Sequence, residues 1–129
     1  MITSSDAGVI LYDDCKIFNL PIYRNWSFPK KKVDTDRIVV IAKSLSPDSY
    51  WTKGFVEVNF CVPDYKDNAN LKRLNELERG ALKVLGYKTG EFDGTRYRYS
   101  IESNGVEEDS ELNCHFVNVR ILFEVLNVK

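Results

Sequence analysis

The sequence predicts an α+β fold: a single mixed or antiparallel sheet of about four strands, helices packed on one face, element order α-β-β-α-β-β. Three observations carry this. Leu71 to Leu85 has apolar residues at helical spacing. Val56, Val58, Phe60 and Val62 alternate with Glu57, Asn59 and Cys61, the period of a half-buried strand. Val117, Val119, Ile121, Phe123 and Val125 repeat that period near the C-terminus. The 129 residues, with no linker, repeat or low-complexity segment, are read as one domain over 1–129.

Ser4-Ser5-Asp6 reads as a helix start, because these side chains cap free backbone N–H groups. Ala7, Ile10, Leu11, Asp14, Ile17 and Phe18 follow at helical spacing, with Asp14 the one polar member, and predict a short helix over about 6–18 that Pro21 stops. Leu20 to Arg24 reads as extended chain, and Asn25 to Asp36 as a polar loop holding Lys30, Lys31 and Lys32. Arg37 to Ala42 is β-branched and apolar on both faces, a central strand, and Ser44 to Ser49 a turn or loop.

Phe55 to Val62 is the second strand, closed by Pro63-Asp64. Asp67 or Asn68 is the expected N-cap of the long helix, whose stripe runs through Leu71, Leu74, Leu77 or Glu78, Ala81, Leu82 and Leu85. Gly86 is placed as its left-handed C-cap, and Gly80 as a point of close packing on the sheet. Gly94 opens a strand over Thr95 to Glu102. Ser103-Asn104-Gly105 reads as a turn, Glu107-Glu108-Asp109 as an acidic loop, and about 113–126 as the last strand. The loops within each strand pair are too short for a parallel crossover helix, so both pairs are expected to be antiparallel.

Composition narrows the function. Lys+Arg (18) nearly cancel Asp+Glu (19), so no global field draws the chain to nucleic acid or an anionic membrane. No apolar run reaches the roughly 18–20 residues of a membrane span, and Met1 to Asp6 lacks the basic start of a secretory signal. The expectation is a cytoplasmic protein. Cys15, Cys61 and Cys114 form no CxxC pair and read as buried free thiols, the alternative being a disulfide or redox role.

Catalytic chemistry finds little purchase. His115 is the single histidine, and as a strand neighbour of Cys114 it points to the other face. A catalytic pair drawn from distant residues, such as Cys61 with His115, is set against a plain surface or edge histidine. Asp34-Thr35-Asp36 starts like a calcium loop but runs into strand residues, and Gly86, Gly90 and Gly94 lack the GKS/T of a phosphate loop. No cofactor, metal site or small-molecule substrate is expected.

Arg96-Tyr97-Arg98-Tyr99 puts guanidinium groups on one face and rings on the other, whereas single-stranded nucleic acid needs both on one face. The reading is tyrosines under the helices and arginines outside. The last strand also places Phe116, Leu122 and Leu126, with Asn118, Arg120 and Glu124, on that outer face. Apolar groups on both faces call for cover by a partner, or by the N-terminal helix or a loop. The candidate interface is therefore Arg98, Arg120, Leu122 and Glu124, together with the basic Lys30, Lys31, Lys32 and acidic Glu107, Glu108, Asp109 segments, which could meet between subunits.

Asn19-Leu20-Pro21-Ile22-Tyr23, then Phe28-Pro29, then Arg37-Ile38-Val39-Val40-Ile41, then Phe55 to Asp64, then the helix Leu71 to Leu85 and a closing hairpin form an order that resembles the bacteriophage tail terminator or tail-completion proteins, grouped with head–tail connector and minor tail proteins. The likeness covers roughly residues 6–126, and the first helix is short for the group. The resemblance implies a non-catalytic structural protein of a phage or prophage. It would form a ring, typically hexameric, on the tail tube end and dock to the head connector, passing from the host cytoplasm into the virion tail. It implies no cofactor, and no functional residue carries over by position. The alternative, from a different class, is a free-standing protein- or nucleic-acid-binding module using the Arg96/Arg98 face; a small enzyme ranks below both.

Overall fold

The computed structural model describes residues 1–25, 27–48 and 50–127. Trp26 and Ser49, in two of the expected loops, lie outside the described residues. The elements run α1 (Ser4–Asp14) with a 3-10 turn (Cys15–Phe18), β1 (Ile22–Arg24), β2 (Arg37–Ser46), β3 (Trp51–Pro63), α2 (Leu71–Leu85), β4 (Tyr87–Phe92), β5 (Thr95–Asp109) and β6 (Cys114–Leu126). The fold class is α+β with a single sheet, as expected, but the sheet has six strands rather than about four, in the order β1-β2-β3-β6-β5-β4. β1 runs parallel to β2; the other neighbours are antiparallel, including the expected pairs β2–β3 and β5–β6.

The two added strands have different causes. Ile22–Arg24 is extended for the reason given by Pro21, and only its pairing with Ile38–Val40 makes it a strand. Tyr87–Phe92 has no apolar alternation. It forms because Asp93 and Gly94 both adopt positive φ (50° and 76°), the two-residue hairpin turn whose twist matches the strands. The acidic segment also belongs to a strand: β5 continues through Ser103-Asn104-Gly105 with a one-residue bulge between Ile101 and Ser103, which puts Glu107 and Asp109 opposite Phe116 and Cys114. Asn104 donates to Glu78 of α2 (2.7 Å), and the ladder to β6 outweighs the local turn chemistry. β2 likewise continues through Ser44-Leu45-Ser46, past an irregularity between Ala42 and Leu45.

Helix ends shift for readable reasons. Thr3 caps α1 in a reciprocal box: its hydroxyl accepts from the Asp6 N–H (3.1 Å), and its own N–H donates to the Asp6 carboxylate (3.0 Å). Asn70, not Asp67 or Asn68, caps α2, because Lys66 and Asp67 at positive φ form a tight turn between Tyr65 and Asn68. Gly86 remains right-handed (φ −58°) rather than capping in the left-handed region.

Both helices cover the same face of the sheet. Ala7, Ile10 and Leu11 of α1 and Leu74, Leu77, Ala81 and Leu85 of α2 share one core with Val40, Val58, Phe60, Tyr99, Val119 and Phe123. Leu71 and Leu82 stay exposed, so the stripe of α2 is narrower than its leucines imply. Gly80 does permit a close approach, but by the Phe18 ring, 3.1 Å from where a Cβ would stand, rather than by the sheet. Phe18 in turn meets Phe60 edge-on at 5.0 Å between centroids.

Asp14, the polar member of the α1 stripe, accepts from the Tyr99 hydroxyl (2.6 Å) and from Lys88 Nζ (2.7 Å), tying the helix end to β4 and β5. Burial and then this bond push the Tyr99 hydroxyl up from its ordinary value, and burial pushes the Cys15 thiol up to about 12. Both groups hold their protons more firmly folded than unfolded. The stability they contribute is present at neutral pH and is lost as pH rises past their unfolded values.

Two outcomes test this account. Leu74, fully buried, should cost about 2–5 kcal/mol on change to Ala in urea unfolding; a loss under about 1 kcal/mol would misplace the helix face. The urea midpoint should hold steady to about pH 8 and fall above about pH 9, more shallowly in Tyr99→Phe. A midpoint level through the alkaline range would contradict the coupling.

Candidate interaction face

The outer face of the sheet divides into a covered and an uncovered half. Parallel β1 and β2 need a crossover connection, and that connection runs over the outer face. Phe28 and Val33 pack there on Val39, Ile41, Cys61, Cys114, Leu112 and Phe116, forming a second small core. The Val33 N–H donates to the Leu112 carbonyl (2.9 Å). The expectation that Phe116 faces a partner is thereby corrected: a loop of the same chain covers it.

This loop carries Lys30, Lys31 and Lys32 outward, all exposed, and none pairs with a carboxylate among the described residues. Glu107 and Glu108 are exposed and Asp109 half-buried, on β5 rather than on a loop. Asp109 accepts from the Leu112 N–H (3.2 Å) in the turn that Val33 also contacts. The basic and acidic segments thus sit at one end of the same subunit.

The three cysteines are buried and unbonded. Cys61 and Cys114 share the second core, with Arg37 opposite Cys61 in the ladder. A bond from the Cys114 thiol, with Arg37 nearby, draws the Cys61 thiol down, while the same bond and burial push Cys114 up. His115 stands on the opposite face, across from Val62. Its Nδ1 lies 2.6 Å from the Asp64 carboxylate and its Nε2 3.5 Å from Glu108. Cys61 and His115 are therefore not brought together. Among the described residues, no group of three or more His, Cys, Asp or Glu side chains could hold a metal ion, and no helix is long and apolar enough to cross a membrane.

The uncovered half is built from β3, β6 and β5. Tyr97 and Tyr99 are buried on the helix side, and Arg96 and Arg98 face outward, as the alternation predicts. Arg98 donates from Nε and Nη2 to the two oxygens of Glu124 (3.0 and 3.3 Å), and Lys53 adds a third contact at 3.7 Å. Glu124 is 8% exposed, so this pairing compensates a nearly buried carboxylate. The Arg98 guanidinium also lies 3.8 Å from the Trp51 ring centroid, and the Arg120 guanidinium 3.9 Å from that of Phe55. Leu122, half-buried, is in register with Phe55 and Ser100. On the β2 side Lys43 pairs with Glu57 (3.5 Å), and Asn118 donates to Glu57 and Asn59 (2.8 Å each).

The residue missed from sequence was Trp51; the alternation already places Phe55 on the outer face with Glu57, Asn59 and Cys61. Trp51 lies with Lys53, Phe55 and Glu57 on that face, so extending the Phe55–Val62 alternation backwards would have found it. The result is a sheet face of aromatic and aliphatic groups roofed by two arginines, with charges of both signs.

No family model matches this chain, and no curated protein does. A solved structure of a protein with no descriptive name is similar over 95% of this chain and 96% of its own, with a TM-score of 0.59 at 14% identity; that likeness extends to the fold alone.

Removing the Arg98 roof should expose the Trp51 ring. Acrylamide quenching of tryptophan fluorescence is expected to rise in Arg98→Ala, with stability lowered because the nearly buried Glu124 loses its partner. Unchanged quenching would mean the stack does not shield the ring.

Proposed function

We propose that this chain is a non-catalytic structural protein that works by assembling with copies of itself and with partner proteins. Its kind is that of the phage tail terminators, which form a ring on the tail tube end and meet the head connector. The observation that carries the reading is the uncovered half of the outer face. Trp51, Phe55, Leu122 and Leu126 lie on a sheet surface to which neither helix contributes, among charges of both signs that can fix the orientation of a protein partner. Leu122 is the anchor; Arg98, Arg120 and Glu124 form the polar surround.

A second reading draws on the same place. Trp51 and Phe55 put rings beside Arg98 and Arg120 on one face, the combination that stacks single-stranded nucleic acid. Against it, Glu57 and Glu124 lie among those groups and Arg98 is already paired.

Light scattering at several protein concentrations tests the first reading. Ring-sized species are expected in the wild type and their loss in Leu122→Asp, with circular dichroism unchanged. Unfolding of Leu122→Asp would make the residue ordinary core and remove this face from the interface. Salt-dependent binding of single-stranded DNA by a monomeric wild type would favour the second reading.

A further inference from the structure

The two edges of the sheet are treated differently. β1 is only three residues long, and the Arg24 carbonyl at its end is taken by the Ser27 N–H (3.0 Å). β4 is six residues long, and its pairing with β5 is free of register shifts. Among the described residues, no strand lies on its other side.

Edge strands are ordinarily guarded by an outward lysine, a proline or a bulge. β4 has no proline and no bulge. Its one lysine, Lys88, is turned to the helix side and held by Asp14 at 2.7 Å.

The direction of the free backbone groups follows from the hairpin. The Ile101 N–H donates to the Gly86 carbonyl, which makes that pair hydrogen-bonded. Alternation along an antiparallel ladder then makes Lys88–Tyr99, Gly90–Tyr97 and Phe92–Thr95 hydrogen-bonded too. The N–H and C=O groups of Tyr87, Thr89 and Glu91 consequently point away from the sheet. The side chains of the same three residues lie on the outer face and are exposed, Tyr87 to 67%.

We propose that β4 is a self-pairing edge: two copies of this chain join through antiparallel β4–β4 contact about a two-fold axis at Thr89, making one continuous sheet. The register is dictated by the backbone. Thr89 meets Thr89 of the second copy, Tyr87 meets its Glu91, and Glu91 its Tyr87. These three pairs exchange about six backbone hydrogen bonds.

The side chains fit that register. On the outer face the Thr–Thr pair is a favourable cross-strand combination, and each Tyr87 hydroxyl stands opposite a carboxylate. No like charges face each other. On the helix side Lys88 falls opposite Gly90 of the second copy, which presents no side chain. Gly90 itself is required by the fold, since a Cβ there would stand 2.4 Å from the Tyr97 hydroxyl oxygen. The contact is isologous, so it closes at two subunits. It goes beyond the outer-face reading and does not depend on it, because Leu122 lies two strands away on β6.

The test is the mass of the purified full chain across a dilution series. The wild type is expected to dissociate through a dimer on dilution, alone or as the last step from ring-sized species; a monomer at every concentration would overturn the proposal. Thr89→Pro removes an N–H that the hairpin does not use, as edge strands tolerate, and should give a folded chain that has lost this dimer. If that variant fails to fold, Thr89→Lys places like charges opposite each other and should lose it too. A folded variant of either kind that dimerises as the wild type does would overturn the proposal. Thr89→Cys in oxidised glutathione should give a covalent dimer on a non-reducing gel, since directly opposed Cα atoms about 5.5 Å apart suit a disulfide; a monomer band alone would overturn the register. Leu122→Asp should leave the dimer intact. Its loss there, with retention in Thr89→Pro, would move the contact to the outer face.

Discussion

The uninterrupted pairing of β3 with β6 is the constraint on which the rest of the molecule depends. The two strands stay in one antiparallel register from Trp51–Leu126 to Pro63–Cys114. Because side chains alternate strictly, that register assigns every residue of both strands to a face. Val56, Val58, Phe60, Val117, Val119, Ile121 and Phe123 go to the helices. Trp51, Phe55, Cys61, Cys114, Phe116 and Leu122 go to the other side. A slip of one residue would exchange the two sets, so the core and the candidate interface are specified by the same ladder.

Two helices suffice for one face only, and the chain manages the second face in three ways. The β1–β2 crossover lays Phe28 and Val33 over Cys61, Cys114 and Phe116. Two arginines roof the rings of Trp51 and Phe55, their flat cations lying against rings that helices do not reach. Glu124, nearly buried, anchors Arg98 in that position. What is left is an amphipathic surface with a half-buried leucine at its middle, suited to protein contact without being a broad bare apolar patch.

Asp14 shows how a single exception to a pattern signals tertiary structure. A carboxylate on the apolar stripe of a helix is costly unless it is paired. Here it binds Tyr99 and Lys88 from two different strands. The same contact turns the only lysine of β4 inward, which leaves the edge strand without its usual guard. Core satisfaction and edge exposure are thus coupled through one side chain.

Periodicity determined the α+β class, the extent of α2, the burial of Tyr97 and Tyr99, and the outward arginines, because 3.6- and 2-residue periods are local consequences of which side meets the core; short connecting loops determined the antiparallel pairs β2–β3 and β5–β6. The outward set on β6 was legible for the same reason. Gly94 marked the start of β5, but Tyr87–Phe92 showed no alternation to mark a strand before it, since an edge strand with a half-exposed inner side needs none. β1, the passage of β5 through Ser103-Asn104-Gly105, the cover over Phe116 and the nearness of the basic loop to the acidic end of β5 were decided only by the tertiary structure. Each depends on a hydrogen-bonding or packing partner distant in sequence, and local patterning holds no record of which distant segment will arrive.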